Sequence, residues 1–434
     1  MNLISVREHA RIAAGPLAAE SLDSATIPHS AFDWLCRESA RLRKNGAVLV
    51  QLEERHALRL DNYVGVLETP CGTRIEILPK HVDGVAGTAA ARKALVNMLR
   101  HGLHLPTRDT GPTALHTFDR PVSEWILGEF LSELDALVRR GPRFDYKTVE
   151  EEARFLRGRL RVAAQIRQPT GRQHLFQVEH QIFDADCAEN RLLVSALAKA
   201  AALTRDPGNW RRAHELQHQL ADIQRSHDIG DDFRRWRDDR LMARYRALRP
   251  WCELILKDRD PSSVLGDWTG RSLLFPMERV FETYVGVCLQ RTLAAGIRPG
   301  KPRSEYLCRQ GERRAFQLKP DFLIRHGDSA WVVDAKWKRL DSAAQDTNYG
   351  LGQGDVYQLH AYAHHYAKGC GQLILVFPRT GSFSAPLEPF VFQGGHQLHV
   401  IPLDVTSGTF VTDVSGHFPW APQSRAHHGS SLVG

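Results

Sequence analysis

The spacing of apolar residues changes twice along this chain of 434 residues. Apolar and polar positions alternate in three runs, 47–52, 57–67 and 74–78, which predicts a small antiparallel β-meander. From about 86 to 265 apolar residues recur every three or four positions, and helices are expected over 92–103, 124–138 and 190–203. Beyond residue 268 strand-like and helix-like runs follow one another.

Composition changes this picture little. The hydrophobic share of 42% and charged share of 25% are ordinary for a globular protein. A net charge of +7 favours nucleic acid as a partner only weakly. The seven cysteines include no CxxC pair, so reduced thiols are the simplest interpretation. Without a membrane-spanning run or a signal-peptide pattern, a cytoplasmic protein with no membrane contact is expected.

Two adjacent strand-like runs carry the most informative residues. The stretches 319–325 and 331–337 alternate apolar with polar positions and are joined by turn residues, which predicts a hairpin. Because successive side chains of a strand point to opposite faces, Asp334 and Lys336 would project together. The partner strand would bring Asp321 close to both.

Two carboxylates and an ammonium at one strand edge suit a Mg²⁺ ion beside a phosphodiester. Carboxylate oxygens bind Mg²⁺, which neutralises developing charge and lowers the pKa of bound water. The lysine can orient that water or stabilise the charged transition state. Taken alone, an exposed hairpin with a surface Asp–Lys pair explains these residues equally well.

Two predicted helices near the hairpin favour the metal-dependent interpretation. The stretch 275–285 predicts an amphipathic helix with Glu282 at the margin of its apolar stripe, within reach of the carboxylates. The stretch 355–362 predicts a helix after a glycine-rich loop, with Gln358 and Tyr362 on one face. The alternatives are a solvated charge for Glu282, a helix cap for Gln358 and a core edge for Tyr362.

The hairpin resembles the catalytic core of the PD-(D/E)xK nucleases. Pro320-Asp321 and Asp334-Ala335-Lys336 match the two halves of that pattern. The helix over 355–362 is similar to the one that accompanies the hairpin in RecB-like members. A strand-like run over 372–377 completes the order helix, hairpin, glycine-rich loop, helix and strand.

Further motifs lie in order along the chain, at 62–66, 75–80, 156–160, 189–193, 281–282 and 334–338. In this order they resemble McrC, the nuclease subunit of modification-dependent McrBC restriction systems, from about residue 60 to 365. The resemblance implies an α/β PD-(D/E)xK nuclease core, a mixed sheet flanked by helices, at the carboxyl terminus. An α+β amino-terminal region with a small β-meander and a helical part would precede it. The implied domains are a β-rich partner-docking module over 1–85, a mainly helical region over 86–267, the endonuclease domain over 268–420 and a disordered tail over 421–434.

The resemblance implies roles for the residues of the hairpin. Asp321 and Asp334 would bind one or two Mg²⁺ ions, helped by the backbone carbonyl of Ala335. Lys336 would position the attacking water, and Glu282 would support the metal or its water.

Gln358 and Tyr362 would contact the backbone of double-stranded DNA or order the site. In this family the amino-terminal part engages and stimulates a hexameric McrB-like AAA+ GTPase, which recognises DNA containing methylcytosine. The lack of a GxxxxGK[ST] loop in this chain agrees with such a division of labour. Arg157 and Arg159 are candidates for the partner interface, although surface arginines beside a turn glycine explain them as well.

Two other functions remain open. One is a RecB-like repair nuclease that acts without a GTPase, although the motifs at 62–66 and 75–80 favour McrC. The other is a non-catalytic adaptor that activates an AAA+ ring. The intact Asp, Asp and Lys set argues against it, because a retired site would be free to lose those residues.

Overall fold

The computed structural model describes most of the chain, in stretches separated by short gaps. The described residues are 3–15, 20–43, 48–81, 87–102, 105, 120–239, 242–256, 273–293, 297–302, 305–327, 329–366 and 372–411. The chain forms two units, one of Met1–Val122 together with Asp260–Gly434 and one of Ser123–Arg259. The two ends of the chain thus share one unit. The predicted boundary at 267 and the predicted tail lie outside the described residues.

The amino-terminal strands form two small sheets in place of one meander. The elements are β1 (Leu3–Arg7), β2 (Arg11–Ala13), β3 (Ser24–Thr26), α1 (His29–Arg43), β4 (Val50–Glu54), β5 (Ala57–Leu60), β6 (Tyr63–Glu68), β7 (Arg74–Leu78) and α2 (Gly87–Gly102). The run predicted over 57–67 is broken, so β5 joins β2, β3 and β4 while β6 pairs with β7. β1 adds to β7 as a parallel strand. The single predicted meander is therefore wrong, although its last turn is confirmed.

A buried ion pair holds α2 against β7. The carboxylate of Glu76 is fully buried and accepts hydrogen bonds of 2.6–3.1 Å from the guanidinium of Arg92. The hydroxyl of Ser5 and the amide of Val122 also donate to it, at 2.9 and 3.2 Å. Because each carboxylate oxygen meets donors, the cost of burying the charge is offset. Glu76 lies in the motif at 75–80, which thereby has a structural role.

The second unit combines helices with one long ribbon. Its elements are α3 (Val122–Val138), β8 (Asp145–Ala153), β9 (Arg159–Leu160), α4 (Val162–Ile166), β10 (Phe176–Asp184), α5 (Ala188–Leu203), α6 (Pro207–Gln219), α7 (Ile229–Arg235) and α8 (Arg249–Leu256). α3 and α5 confirm the helices predicted over 124–138 and 190–203. β8 pairs with β10 along its whole length, and β9 adds to β10. The expectation of a mainly helical region missed this ribbon, because exposed strands need no apolar alternation.

The carboxyl-terminal segment builds the mixed sheet that the motifs predicted. Its elements are β11 (Leu273–Pro276), α9 (Met277–Thr292), β12 (Glu305–Gln310), β13 (Arg313–Leu318), β14 (Phe322–His326), β15 (Ser329–Ala335), α10 (Gln353–Tyr366), β16 (Gln372–Pro378), β17 (Phe390–Val391), β18 (Gln397–Asp404) and β19 (Thr409–Phe410). The sheet has the order β14-β15-β16-β18-β17, with β19 beside β18. β14 and β15 are antiparallel, whereas β15, β16 and β18 are parallel.

Helices α9 and α10 pack on this sheet. Leu359, Tyr362 and Ala363 of α10 join the core formed by the buried side chains of β15 and β16. β11 pairs antiparallel with β6, so the strand that leads into α9 belongs to an amino-terminal sheet. In the described part of the chain, none of the helices is both long and apolar enough to span a membrane.

Candidate active site

The β14–β15 hairpin brings the two predicted carboxylates together. Asp321 immediately precedes β14, Asp334 is the penultimate residue of β15, and the register pairs Phe322 with Val333. Asp321 therefore lies opposite Asp334. Its Oδ2 accepts a hydrogen bond of 2.8 Å from the amide of Ala335, so the main chain of β15 fixes its position.

Lys336 follows β15 directly and pairs with acidic groups on two elements. Its Nζ lies 2.8 Å from Oδ2 of Asp334 and 3.6 Å from Oδ1 of Asp355 on α10. Burial lowers the pKa of this ammonium, but the two carboxylates outweigh that effect and raise its pKa overall. Lys336 therefore keeps its charge at neutral pH.

The environment of the carboxyl groups disfavours two negative charges. Burial, followed by the charge of Asp334, raises the pKa of Asp321 to about 7. Burial also raises the pKa of Asp334, against the opposing influence of Lys336. A cation bound between the two groups would favour their ionised forms. The pair therefore has the electrostatics of a cation site.

A close helix–strand contact places Glu282 at the same site. Gly286 of α9 lies against the ring of Phe322, and a Cβ atom at position 286 would come within 2.8 Å of that ring. Because residues four apart share a helix face, Glu282 lies one turn before this contact. Its charge contributes to the raised pKa of Asp321. The geometry agrees with the supporting role predicted for Glu282, which stays a prediction.

A cleft of about 390 Å³ opens beside these acidic groups. It is lined by Arg279, Glu282, Thr283, Lys301, Pro302, Lys319, Pro320 and Asp321. Main-chain hydrogen bonds of 2.9 Å in both directions between Gly300 and Leu323 hold the segment that carries Lys301 along the outer edge of β14. Basic residues around two carboxyl groups suit a polyanion that reaches those groups through a cation.

Gln358 and Tyr362 extend the site along α10. Nζ of Lys336 donates to Oε1 of Gln358 at 3.2 Å, and Nε2 of Gln358 donates to the hydroxyl of Tyr362 at 2.8 Å. α10 begins at Gln353, so the alternative of Gln358 as a helix cap is wrong. Tyr362 is a buried core residue as well as part of this chain of hydrogen bonds. Its predicted contact with DNA stays a prediction.

Other residues around the site were not predicted. Asp355 accepts a 2.6 Å hydrogen bond from Lys338 while also facing Lys336. The ring of Trp337 contacts that of His81 in a tilted arrangement, and its Nε1 donates to the buried carboxylate of Glu8 at 2.6 Å. Burial raises the pKa of Glu8. Glu8 and Trp337 are 329 positions apart, so no local pattern connects them.

Arg157 and Arg159 lie on the second unit, at the turn that leads from β8 into β9. Both are exposed, and Arg157 forms an ion pair with Glu151. Gly158 between them has φ +66°, and a Cβ atom there would meet the carbonyl oxygen of Glu179 at 2.4 Å. Both parts of the alternative interpretation, surface arginines and a turn glycine, are therefore present. A role at a partner interface stays a prediction.

The donor set limits how a metal would bind. In the stretches that the structure describes, no three acidic, histidine or cysteine side chains gather closely enough to hold one ion. A site at Asp321 and Asp334 would complete its coordination with a main-chain carbonyl, water and phosphate oxygens. Mg²⁺ is bound in this way in many phosphoryl-transfer sites, by one or two carboxylates and the substrate.

Comparison with known proteins places the chain in a family. The family model of the McrBC 5-methylcytosine restriction system component matches residues 58–378. No curated protein matches. A solved half-complex from a tetradecameric assembly of Thermococcus gammatolerans McrB AAA+ hexamers with bound McrC contains a similar chain. Its TM-score is 0.68 at 19% identity, over 95% of this chain and 97% of that one.

A second structure, the cryo-EM structure of the Thermococcus gammatolerans McrBC complex, is also similar. It has a TM-score of 0.51 at 21% identity, over 67% of this chain and 88% of that one. At these identities the two structures establish a likeness of fold. The family model spans most of the chain, which confirms the resemblance inferred from the motifs. The chain therefore belongs to the family of McrBC 5-methylcytosine restriction system components.

Proposed function

We propose that this protein is the Mg²⁺-dependent endonuclease subunit of a McrBC-type restriction system, with its active site at Asp321, Asp334 and Lys336. One observation carries the proposal: two carboxyl groups of raised pKa and a charged lysine converge at one end of a hairpin. Perturbed carboxyl groups beside a cleft are typical of functional sites, whereas an exposed Asp–Lys pair would titrate normally.

The residues present fit Mg²⁺. Asp321 and Asp334 would hold it with the backbone carbonyl of Ala335, and Glu282 would support one of its water ligands. When bound, Mg²⁺ supplies charge neutralisation at the phosphate and a water of lowered pKa. This fit relies on hard oxygen donors, which Mg²⁺ prefers.

The protein's own residues then have distinct tasks. A bound cation would favour the ionised forms of Asp321 and Asp334. Lys336, held by Asp334 and Gln358, directs its ammonium at the scissile phosphate and stabilises the charge that grows there. Gln358 and Tyr362 keep that ammonium in place. The basic residues of the cleft bind neighbouring phosphates of the DNA.

The partner is a McrB-like AAA+ GTPase hexamer, and the substrate is DNA that contains methylcytosine. Family membership supports this assignment, as do the two similar structures, which contain McrB together with McrC. The second unit offers a surface for a protein partner beside Arg157 and Arg159. Large apolar side chains are exposed there, namely Phe155, Leu156, Val162 and Ile166. Exposed apolar groups close together in the chain are typical of protein interfaces.

A cleavage assay separates this function from its alternatives. Methylated and unmethylated DNA would be incubated with Mg²⁺ and the wild type, Asp334→Asn or the exposed control Asp346→Asn, each with and without a McrB-type partner and GTP. We expect cleavage by the wild type and the control only with methylation, partner and GTP. Asp334→Asn should lose about 10³-fold in rate, because several kcal/mol of charge stabilisation are removed.

Each alternative predicts a different result in the same assay. Cleavage by the chain alone, indifferent to methylation, would identify a free-standing RecB-like nuclease. Stimulation of the partner's GTPase without any Mg²⁺-dependent cleavage would identify an adaptor. Equal cleavage by wild type and Asp334→Asn would refute the assignment of the site.

A further inference from the structure

A second, exposed hairpin leads directly into the candidate active site. β12 and β13 form a separate two-stranded sheet, and only Lys319 and Pro320 separate the end of β13 from Asp321. Most of its side chains are exposed, including Leu307 and Phe316. A ribbon of this kind has no apolar core of its own that would explain its residues.

The base of the ribbon is fixed to α10. The hydroxyl of Tyr366 donates to the carbonyl of Leu318 at 3.0 Å and accepts from the amide of Glu305 at 3.1 Å. Leu318 and Glu305 are the paired residues that close the ribbon at this end. Since α10 also carries Gln358, these hydrogen bonds of Tyr366 fix the base of the ribbon relative to the active site.

The ribbon carries three arginines, Arg309, Arg313 and Arg314, and two carboxylates, Glu305 and Glu312. Arg309 and Arg314 are directly opposite each other in the register, an arrangement that destabilises an antiparallel pair. Among the described residues, no carboxylate lies within ion-pair distance of Arg309, Arg313 or Arg314. Arg314 lies over the ring of Tyr306. An anion between the two opposed arginines would turn this repulsion into attraction.

The middle of the ribbon is apolar and strained. Leu307 and Phe316 lie opposite each other between two regular pairs, and both side chains are exposed. Phe316 has φ +56°, a region that bulky residues rarely occupy. Backbone strain of this kind is typical of functional sites. A DNA duplex offers both partners, phosphates for the arginines and sugars or base edges for the apolar pair.

From this combination we infer that the β12–β13 ribbon is a DNA-binding element. It lies along the duplex next to the scissile phosphodiester, where Arg309 and Arg314 bind phosphates and Leu307 and Phe316 enter a groove. A two-stranded ribbon fits the major groove, which is about 12 Å wide. The inference rests on the proposed function for its substrate class, and it adds the residues that hold the substrate.

Binding in EDTA tests the ribbon independently of cleavage. Fluorescence anisotropy of a labelled duplex of about 30 base pairs would be measured for the full chain between 50 and 300 mM salt. The variants are Arg309→Ala/Arg314→Ala and a control pair in the same unit, Arg37→Ala/Arg55→Ala, whose arginines are also exposed. Thermal unfolding of each variant verifies that it is folded.

We expect the ribbon variant to lose two phosphate contacts. The slope of log K against log salt should fall by about 1.8, and the affinity at 0.15 M salt should fall about 30-fold. The control pair should stay close to the wild type. Unchanged binding by the ribbon variant, an equal loss in the control pair, or no binding by the wild type at 50 mM salt would each overturn the inference.

The two proposals fail in different ways. If the wild type bound DNA through the ribbon but cleaved none in Mg²⁺, the ribbon would stand and the nuclease assignment would fall. If it cleaved DNA and the ribbon variant bound normally, the nuclease assignment would stand alone. Phe316→Ser provides a second measurement, since it should weaken binding several-fold without changing the salt slope.

Discussion

Two consecutive hairpins of the first unit have the same topology and opposite surroundings. β14–β15 belongs to the mixed sheet, and Val332 and Val333 are fully buried. β12–β13 forms its own sheet, with Arg309 and Phe316 in solvent. The buried hairpin has a core that holds two carboxyl groups at raised pKa. The exposed hairpin has no such core, which agrees with the role in DNA binding that we infer for it.

The two hairpins show that the burial of a side chain is linked to the role it can have in this unit. Burial is the largest cause of the raised pKa of both Asp321 and Asp334, and this burial depends on the packed sheet. A surface that binds DNA needs the reverse, because its charges must stay accessible to phosphates. Substitutions in the first hairpin should therefore change the chemical step, and substitutions in the second should change binding.

The largest expected effect tests the chemical side of this comparison. Lys336→Met should reduce the rate of single-turnover cleavage by about 10²–10³-fold, because a preorganised charge at the phosphate is lost. Lys338→Met is the matched control, since Lys338 pairs with Asp355 but is exposed. The cleavage rate of this control should stay within about threefold of the wild-type rate, because an exposed ion pair contributes little free energy. Equal losses would show that both lysines act only through general charge.

A smaller loss of cleavage rate is expected for a residue that contacts Lys336 and not the phosphate itself. Gln358→Ala should slow cleavage by about 10–100-fold, because a residue that orients a catalytic group is removed. The same helix provides its control. Gln353 donates to Tyr357 four residues on, as Gln358 does to Tyr362, but only Gln358 also contacts Lys336. Gln353→Ala should therefore cleave normally, and a comparable loss there would assign the effect to α10 as a whole.

The raised pKa of Asp321 gives a test of the cation site without DNA. Its folded pKa of about 7 lies above the ordinary value of 3.8, so the protonated form is the one that folding favours. The stability from this group is present below about pH 4 and is lost as the pH rises through about 7. Mg²⁺ needs the ionised form, so the thermal shift it produces should be larger at pH 8 than at pH 6.

The difference in thermal shift should be about 2–4 °C, since ionisation changes about tenfold across that interval. Differential scanning calorimetry with and without Mg²⁺ measures it. In Asp321→Asn the difference between the thermal shifts at pH 8 and pH 6 should be smaller, because only the part due to Asp334 is left. A wild-type shift that stayed constant from pH 6 to pH 8 would exclude Asp321 as a metal ligand of raised pKa.

The smallest effect concerns stability and is opposite in sign to the effect on binding. Arg309→Glu replaces a like-charged pair with an attractive one opposite Arg314, so the melting temperature should stay constant or rise by about 1 °C. DNA binding in the same variant should weaken further than in Arg309→Ala. A clear fall in the melting temperature of Arg309→Glu would mean that Arg309 stabilises the fold. The exposed hairpin would then have a structural role, as the buried hairpin has.

The sequence predicted the buried hairpin and missed the exposed one for the same physical reason. Alternation of apolar residues arises where one face of a strand meets a core, as in β14 and β15. The strands of β12–β13 and β8–β10 pack against little core, so their sequences lack the alternation of apolar and polar residues that would distinguish them from loops. The break between β5 and β6 was missed as well, because a continuous apolar run does not reveal that a chain changes sheets.

For the candidate site, the sequence supplied the residues that bear chemistry but only part of their support. Asp321, Asp334, Lys336, Gln358 and Tyr362 were predicted from spacing and resemblance, and they lie together. Their roles in catalysis stay predictions until cleavage is measured. Asp355 was not predicted as a site residue although it begins the predicted helix 355–362, because its contact with Lys336 depends on the packing of α10. Glu8 was not predicted because it reaches Trp337 from a position 329 residues away, and its local pattern carries no sign of that contact.

The hydrogen bond from Trp337 to Glu8 has a consequence for how the protein folds. The residue after Lys336 is anchored by a side chain beside β1, and β11, which leads into α9, completes the sheet of β6. Contacts that far apart in sequence cost loop-closure entropy and slow folding. The active site is then finished only when both ends of the first unit have met. A fragment that begins at α9 would lack both contacts, so we expect it to be inactive even though it contains Asp321, Asp334 and Lys336.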